Sequence, residues 1–291
     1  MNRFVLGTVQ LGLPYGRLRH SPLMTTEAAF RVLDAAWDLG VRTFDTAESY
    51  GESAVRLRAW IGKRGHHADV GIVTKCAVGV GGADRGESVE RASIALSRFD
   101  EVRELTLLTH GAVDVDEWEA VSGVAARHGA FAGQSVYTEG EVRAACQLPR
   151  TGRVQAPGNV LDCRAILARR ESPVPLDIRS VYLQGVLLEA PGRAESRAPG
   201  AFRVVTALQN AAAASRLPLS VALVASMLRI LREKDRVVLG VDNESQLAVL
   251  SRVLGISTEM VDDFRDRAES LAGSHELKTI LDPRQWPEAA G

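Results

Sequence analysis

Short apolar, β-branched runs alternate with helical patterns along the whole chain, and that alternation limits the fold more than any other feature. The runs are FVLGTV (4–9), VRTFDT (41–46), GIVTKC (71–76), LTLLTH (105–110), AFAGQSV (130–136), RVQAP (153–157), IRSVYL (178–183) and RVVLGV (236–241). Strands separated by helices make βαβ units and hence a parallel sheet. Eight such beats in 291 residues predict one closed α/β barrel, a (β/α)8 TIM barrel forming a single domain over 1–291. Such barrels commonly occupy about 250 residues. Length alone would also admit two domains.

The helical stretches carry ordinary boundary signals. TTEAAFRVLDAAWDLG has Thr26 as its expected cap, Phe30, Leu33 and Trp37 along one face, and Gly40 as its stop. A later helix is expected to begin at Asp116, with Glu119 at capping-box spacing, and to end at Gly129. LEAPGRAESRAPGA (188–201) is rich in Pro, Gly and Arg and reads as a long, mobile loop.

Bulk properties narrow the partners. A net charge of −1, spread along the length, gives no electrostatic reason to expect nucleic acid or a membrane surface. Cys76, Cys146 and Cys163 are too scattered for a disulfide framework or metal-ligand spacing, which fits a reducing cytoplasm. The N-terminus passes straight into a strand-like run, leaving no room for a signal peptide. The most apolar stretch, LPLSVALVASMLRI, is short of the roughly 20 residues a span needs. The expectation is a soluble cytoplasmic protein, monomeric or a small homo-oligomer, acting on a small molecule.

In a barrel of this kind the active site lies at the C-terminal ends of the strands. There the sequence places Asp45, with Tyr50 in the loop that follows, then Lys75 and His110, on three successive strands. Singly, each has a bland reading: a helix cap, a turn residue, an outward lysine, a structural histidine. Together, a lysine and a histidine at the ends of apolar strands would be costly unless partnered, and Asp45 is the partner at hand for Lys75. An ammonium beside a phenol favours the phenolate and lowers its pKa. Tyr50 so tuned, with neutral His110 donating to the same oxygen, makes a positioned general acid with an oxyanion site, which suits carbonyl reduction.

LGTVQLGLPYG, FDTAESYG, VTKC, ALSRFDEVRELTLLTH, GQSVY, VQAPGNVLD, LQGVLL and VVLGVDNESQL together resemble, in order from about residue 5 to about 255, the landmarks of the aldo-keto reductase superfamily. The resemblance implies a barrel that passes a hydride from NADPH or NADH to an aldehyde or ketone, or runs the reverse oxidation of an alcohol. It implies Asp45, Tyr50, Lys75 and His110 as catalytic. It also implies a cofactor site at Gly7, Thr8, Ser135, Gln155, Arg179, Leu183, Gln184, Gly185, Val241, Asn243 and Gln246, with Ser135 and Gln155 on the nicotinamide carboxamide.

Some positions depart from the family. Val136 stands where relatives often have Asn, and Arg179 where an aromatic usually stacks on the nicotinamide. Asp242 occupies a position usually small or basic, where an acid would repel a 2′-phosphate, and Val249 and Leu250 replace the usual adenine contacts. NADP, more usual in the family, is therefore not assured over NAD. These departures motivate an alternative: an isomerase, dehydratase or epimerase doing acid–base work on the same barrel, with a degraded cofactor site. Tyr15, Tyr137, Tyr182 and Trp118 are candidates to line an open substrate pocket.

Overall fold

The computed structural model describes residues 3–15, 22–78, 85–271 and 277–287. Eight parallel strands close into one barrel in sequence order: β1 (Phe4–Gly7), β2 (Thr43–Asp45), β3 (Gly71–Cys76), β4 (Glu104–Thr109), β5 (Phe131–Ser135), β6 (Thr151–Pro157), β7 (Leu176–Arg179) and β8 (Arg236–Gly240). Closure comes from β1 against β8, with Phe4 opposite Val237 and Gly7 opposite Gly240. The strands are short and buried on both faces, which is why they read as apolar runs rather than as alternations. Helices surround the barrel and bury apolar faces on it, among them Thr26–Asp38, Ser53–Arg64, Val115–Arg127, Ala201–Ala214 and Leu219–Ile230. Among the described residues no single helix is long and apolar enough to cross a membrane.

Glycine is needed where β5 meets β6. The register shifts between Ala132 and Gly133, and a Cβ on Gly133 would lie 2.0 Å from the Arg153 carbonyl oxygen. That close approach lets β5 and β6 bring Ser135 level with Gln155.

The interior at the N-terminal end of the barrel is plugged by charge, which the apolar runs gave no hint of. Asp177 of β7 is wholly buried. Its two oxygens accept from Arg236 Nε and Nη2, both at 2.8 Å, and Oδ1 accepts from Arg153 Nη1 at 2.9 Å. Burial opposes the charge on Asp177, but Arg236 and Arg153 outweigh it and hold the carboxyl below its ordinary range. Nearby, Asp235 accepts from Arg169 at 2.5 Å and from the backbone N–H groups of Leu176 and Arg232, both at 2.8 Å. This second acid fixes the start of β7.

Four sequence expectations shift. β7 was expected over 178–183 but occupies Leu176–Arg179, because the chain turns at once: φ is positive at Ser180, Leu183, Gln184 and Gly185, and Leu183 N–H bonds back to Ser180 O. The apolar alternation there belongs to a packed turn. The stretch 188–201 is not an open loop: Val186–Leu188 is a 3-10 turn and Pro191–Arg197 a helix with Pro at its start. Glu195 accepts from the backbone of Gly200 and Phe202, which ties that helix to the next, and Ala194, Arg197 and Ala198 are buried. The cap of the first long helix is Thr25, accepting from Ala28, not Thr26. Asp114, accepting from Glu117, caps the helix expected to begin at Asp116.

Candidate active site

The turn after β2 presents Tyr50 because it is pinned on two sides. Thr46 N–H donates to Val73 O and Glu48 N–H to Lys75 O, laying the turn along β3. On the other side the short helical turn Val9–Gly12 presses on it. A Cβ on Gly12 would sit 2.0 Å from Tyr50 O and 2.2 Å from Ser53 N. Gly51 completes the turn with φ +54°. Thr8 and Ser53 add a buried hydroxyl pair at 2.6 Å, and Thr8 Oγ1 donates to Asp45 O at 2.8 Å.

Asp45 and Lys75 face each other inside the barrel mouth, 3 % and 1 % exposed. Lys75 Nζ donates to both carboxylate oxygens of Asp45 at 2.6 Å. It also lies 5.1 Å from the Tyr50 ring centre, close enough for its charge to act on the phenol. His110 meets Tyr50 edge-on, ring centres 6.3 Å apart, and its backbone N–H is held by Cys76 O at 2.9 Å. The four expected catalytic residues thus converge.

Their electrostatics differ in one respect from expectation. Burial opposes the Lys75 charge, yet Asp45 and Tyr50 more than restore it, so its pKa is raised and it stays an ammonium. Burial also dominates at Tyr50 and pushes the phenol up; Lys75 opposes this without overcoming it, and Asp45 reinforces it. Tyr50 therefore holds its proton at neutral pH rather than being poised to lose it. Burial, then Lys75 and Arg179, push His110 below the ordinary histidine value, which keeps it neutral. The arrangement sets a protonated phenol edge-on to a neutral imidazole.

A cleft of about 650 Å³ runs from Asp45 and Tyr50 past the ends of β7 and β8. Of the residues expected to hold a cofactor, Gly7, Arg179, Gln184, Gly185, Val241 and Gln246 line it. Others stand behind its wall. Ser135 Oγ donates to Gln155 Oε1 at 3.2 Å, and Gln155 Nε2 donates to Asp45 Oδ2 at 2.8 Å, so this pair braces the carboxylate that holds Lys75. Thr8 is buried beneath the turn after β1, and Leu183 is buried in the turn after β7. Asn243 caps the 3-10 turn Glu244–Leu247 by accepting from Gln246 N–H.

The cleft also recruits residues the sequence reading did not select. Gln10 lies over β8, where a Cβ on Gly240 would meet its amide at 2.5 Å. Its Oε1 is buried with no hydrogen-bond partner among the described residues, an acceptor on the cleft wall. Arg252 borders the same end of the cleft as Asp242 and Ser245. No pattern marks Arg252 in one dimension, whereas Gln10 lies inside the LGTVQLGLPYG landmark without being singled out. Tyr15 and Tyr137 line cavities as expected, and Tyr182 lines the cleft with its hydroxyl on Ser220 O. Trp118 does not: it is fully buried, its indole N–H on Pro149 O at 2.7 Å. Arg197, expected on a solvated loop, is buried and donates to Gln184 O at 3.2 Å, which steadies the turn after β7.

The family model of the aldo/keto reductase family matches residues 3–106. No curated protein sequence matches significantly. Among solved structures, the glycerol dehydrogenase from Gluconobacter oxydans superposes with a TM-score of 0.72 at 15 % identity, covering 97 % of this chain and 93 % of that one. An aldo-keto reductase from Bacillus halodurans, in its holo form, gives 0.71 at 16 % identity and covers 94 % of each chain. At such identities the structures share the fold. The chain thus matches the aldo/keto reductase family model over residues 3–106, which hold Asp45, Tyr50 and Lys75, and shares the barrel fold of these structures over nearly its whole length.

Proposed function

We propose that this protein is a nicotinamide-dependent oxidoreductase that reduces an aldehyde or ketone, or oxidises the matching alcohol. The observation that carries the reading is the convergence of Lys75, held by both oxygens of Asp45, on a buried and protonated Tyr50 beside a neutral His110. Acid–base chemistry without a cofactor would leave the adjoining cleft and its orphaned Gln10 acceptor unexplained.

The residues present fit a nicotinamide dinucleotide. Gly7, Gln184, Gly185, Val241 and Gln246 would hold it along the cleft, and Gln10 Oε1 would accept from it. Ser135 and Gln155, which the resemblance assigns to the carboxamide, brace Asp45 as they stand. When bound, the cofactor supplies the hydride. Tyr50 and His110 donate to the carbonyl oxygen, and Tyr50 gives up its proton as that oxygen becomes an alkoxide. Lys75 stabilises the phenolate left behind, and Asp45 keeps Lys75 charged and aimed.

At the far end of the cleft, Asp242 disfavours a 2′-phosphate and Arg252 favours one, so either NADPH or NADH is compatible with the wall. Tyr50→Phe tests the reading. On a confirmed substrate it should lower turnover by about two to four orders of magnitude, the usual worth of a positioned general acid. Turnover close to that of the unmodified enzyme would refute it.

A further inference from the structure

β7 ends by placing a guanidinium at the mouth of the site. Arg179 is the last residue of β7, its carbonyl oxygen is held by Gly158 N–H at 2.9 Å, and the chain turns away immediately at Ser180, φ +64°. The side chain is half-buried, with Cζ 4.4 Å from the centre of the Tyr137 ring and Nη2 donating to Val136 O at 3.3 Å. A guanidinium has five N–H donors, so this contact leaves most of its capacity unused. Its charge is felt at Tyr50, His110 and Tyr15, which places it at the chemistry rather than at the distant end of the cleft.

The most deeply buried arginines meet carboxylates, and the half-buried Arg42 and Arg56 each donate twice to backbone carbonyls. Arg153 and Arg236 pair with Asp177, Arg169 with Asp235, and Arg197 approaches Glu189 at 3.7 Å. Among the described residues no carboxylate pairs with Arg179. A partly desolvated cation of this kind is costly unless something anionic meets it.

Arg179 also stands where two spaces join. It lines the cleft beside the tetrad and a second cavity of about 1060 Å³ bounded by Tyr15, Tyr137, Asn159 and Leu183. The other arginines of that cavity are occupied, Arg164 by Asp162 at 2.8 Å and Arg265 by Glu269 at 3.2 Å. Lys75 is committed to Asp45. One unpaired guanidinium balances one negative charge, which favours a carboxylate over a dianionic phosphate.

We propose that Arg179 is a substrate-recognition residue, and that the substrate is an oxo acid. Its carboxylate pairs with the Arg179 guanidinium, its carbonyl oxygen lies at Tyr50 and His110, and the rest of the molecule extends into the second cavity. The planar fork of Arg179 suits a bidentate carboxylate. The assignment of a carbonyl to Tyr50 rests on the oxidoreductase reading; the assignment of an anion to Arg179 does not.

The test uses two aldehydes of like shape, 4-carboxybenzaldehyde and its methyl ester, together with terephthalate as an unreactive anion. The unmodified enzyme should reduce the acid with a kcat/KM at least about tenfold above the ester, the scale of a charged hydrogen bond. Arg179→Met should abolish that ratio, and Arg179→Lys should keep part of it. Calorimetry without cofactor should show terephthalate binding about tenfold or more weakened in Arg179→Met and partly restored in Arg179→Lys. Acid and ester reduced alike, or terephthalate bound equally by all three proteins or by none, would overturn the proposal while leaving the redox reading intact. Arginine-dependent terephthalate binding with no reduction of either aldehyde would sustain the anion site and count against the redox reading.

Discussion

Tyr50 and His110 carry opposite consequences of the same burial. The phenol is pushed up, so it remains a proton donor well past neutrality; the imidazole is pushed down, so it remains neutral well below it. For carbonyl reduction the signs follow directly. Activity needs Tyr50 protonated, so no alkaline limb from Tyr50 should appear below the ordinary tyrosine value of about 10. It needs His110 neutral, so the acid limb should lie below the ordinary histidine value. Alcohol oxidation needs the phenolate and should instead climb steadily as pH rises. Profiles of kcat/KM in both directions check this; a reduction rate that collapses between neutral pH and pH 9 would contradict the assignment. The convergence of Asp45, Tyr50, Lys75 and His110 was legible in the sequence because each sits at or just past a strand end, where one position decides the side chain's place. Two features at this scale were not. The Gln155–Asp45 bond joins residues 110 apart, and the net direction of the Tyr50 shift depends on how deeply it is enclosed, which no motif states.

Among the elements, the turn that carries Tyr50 is shaped by neighbours rather than by its own residues alone. Gly12 lies far from Tyr50 in sequence, yet it has no room for a methyl group against Tyr50 O and Ser53 N. Gly12→Ala should therefore move the turn. Overpacking of this kind typically costs about 1–3 kcal/mol, and a misplacement of about 1 Å at a catalytic group can cost about a hundredfold in rate. Gly62→Ala is the control, since a Cβ there, inside the helix Ser53–Arg64, meets nothing within 4 Å. Thermal unfolding and turnover measured on both should show loss in the first and neither loss in the second; an active, stable Gly12→Ala would show that the contact does not position Tyr50. Seven strands were readable because each is a buried apolar run, whereas β7 was read two residues late and on into the turn after Arg179. The helix Pro191–Arg197 was not, because its Pro, Gly and Arg content imitates a loop. What makes it helical is tertiary: Ala194 and Ala198 buried, and Glu195 capping the next helix.

For the molecule as a whole, the candidate active site and the buried charged plug occupy opposite ends of one barrel. The open end carries the tetrad; the closed end is plugged by Asp177 with Arg236 and Arg153. Removing one member of such a buried cluster leaves charge uncompensated and costs about 3–5 kcal/mol. Asp177→Asn should lower the unfolding free energy by that order. Because the folded pKa of Asp177 is depressed, its contribution is present above the unfolded carboxylate value and disappears as pH falls through the folded one. The gap between the two proteins should thus be full at neutral pH and shrink in acid, below about pH 4. Denaturant titrations at several pH values measure it, and a gap independent of pH would contradict the charge assignment. Barrel closure was legible from the count of strands, whereas the plug was hidden because Asp177, Arg153 and Arg236 are isolated polar residues in otherwise apolar runs.

Titration of the purified protein with NADPH and with NADH separately, followed by tryptophan quenching or calorimetry, decides whether it is a nicotinamide-dependent enzyme. Micromolar binding of at least one is expected, with the NADPH-to-NADH affinity ratio rising in Asp242→Asn as a negative charge leaves the far end of the cleft. No binding of either cofactor up to millimolar concentration would contradict that reading.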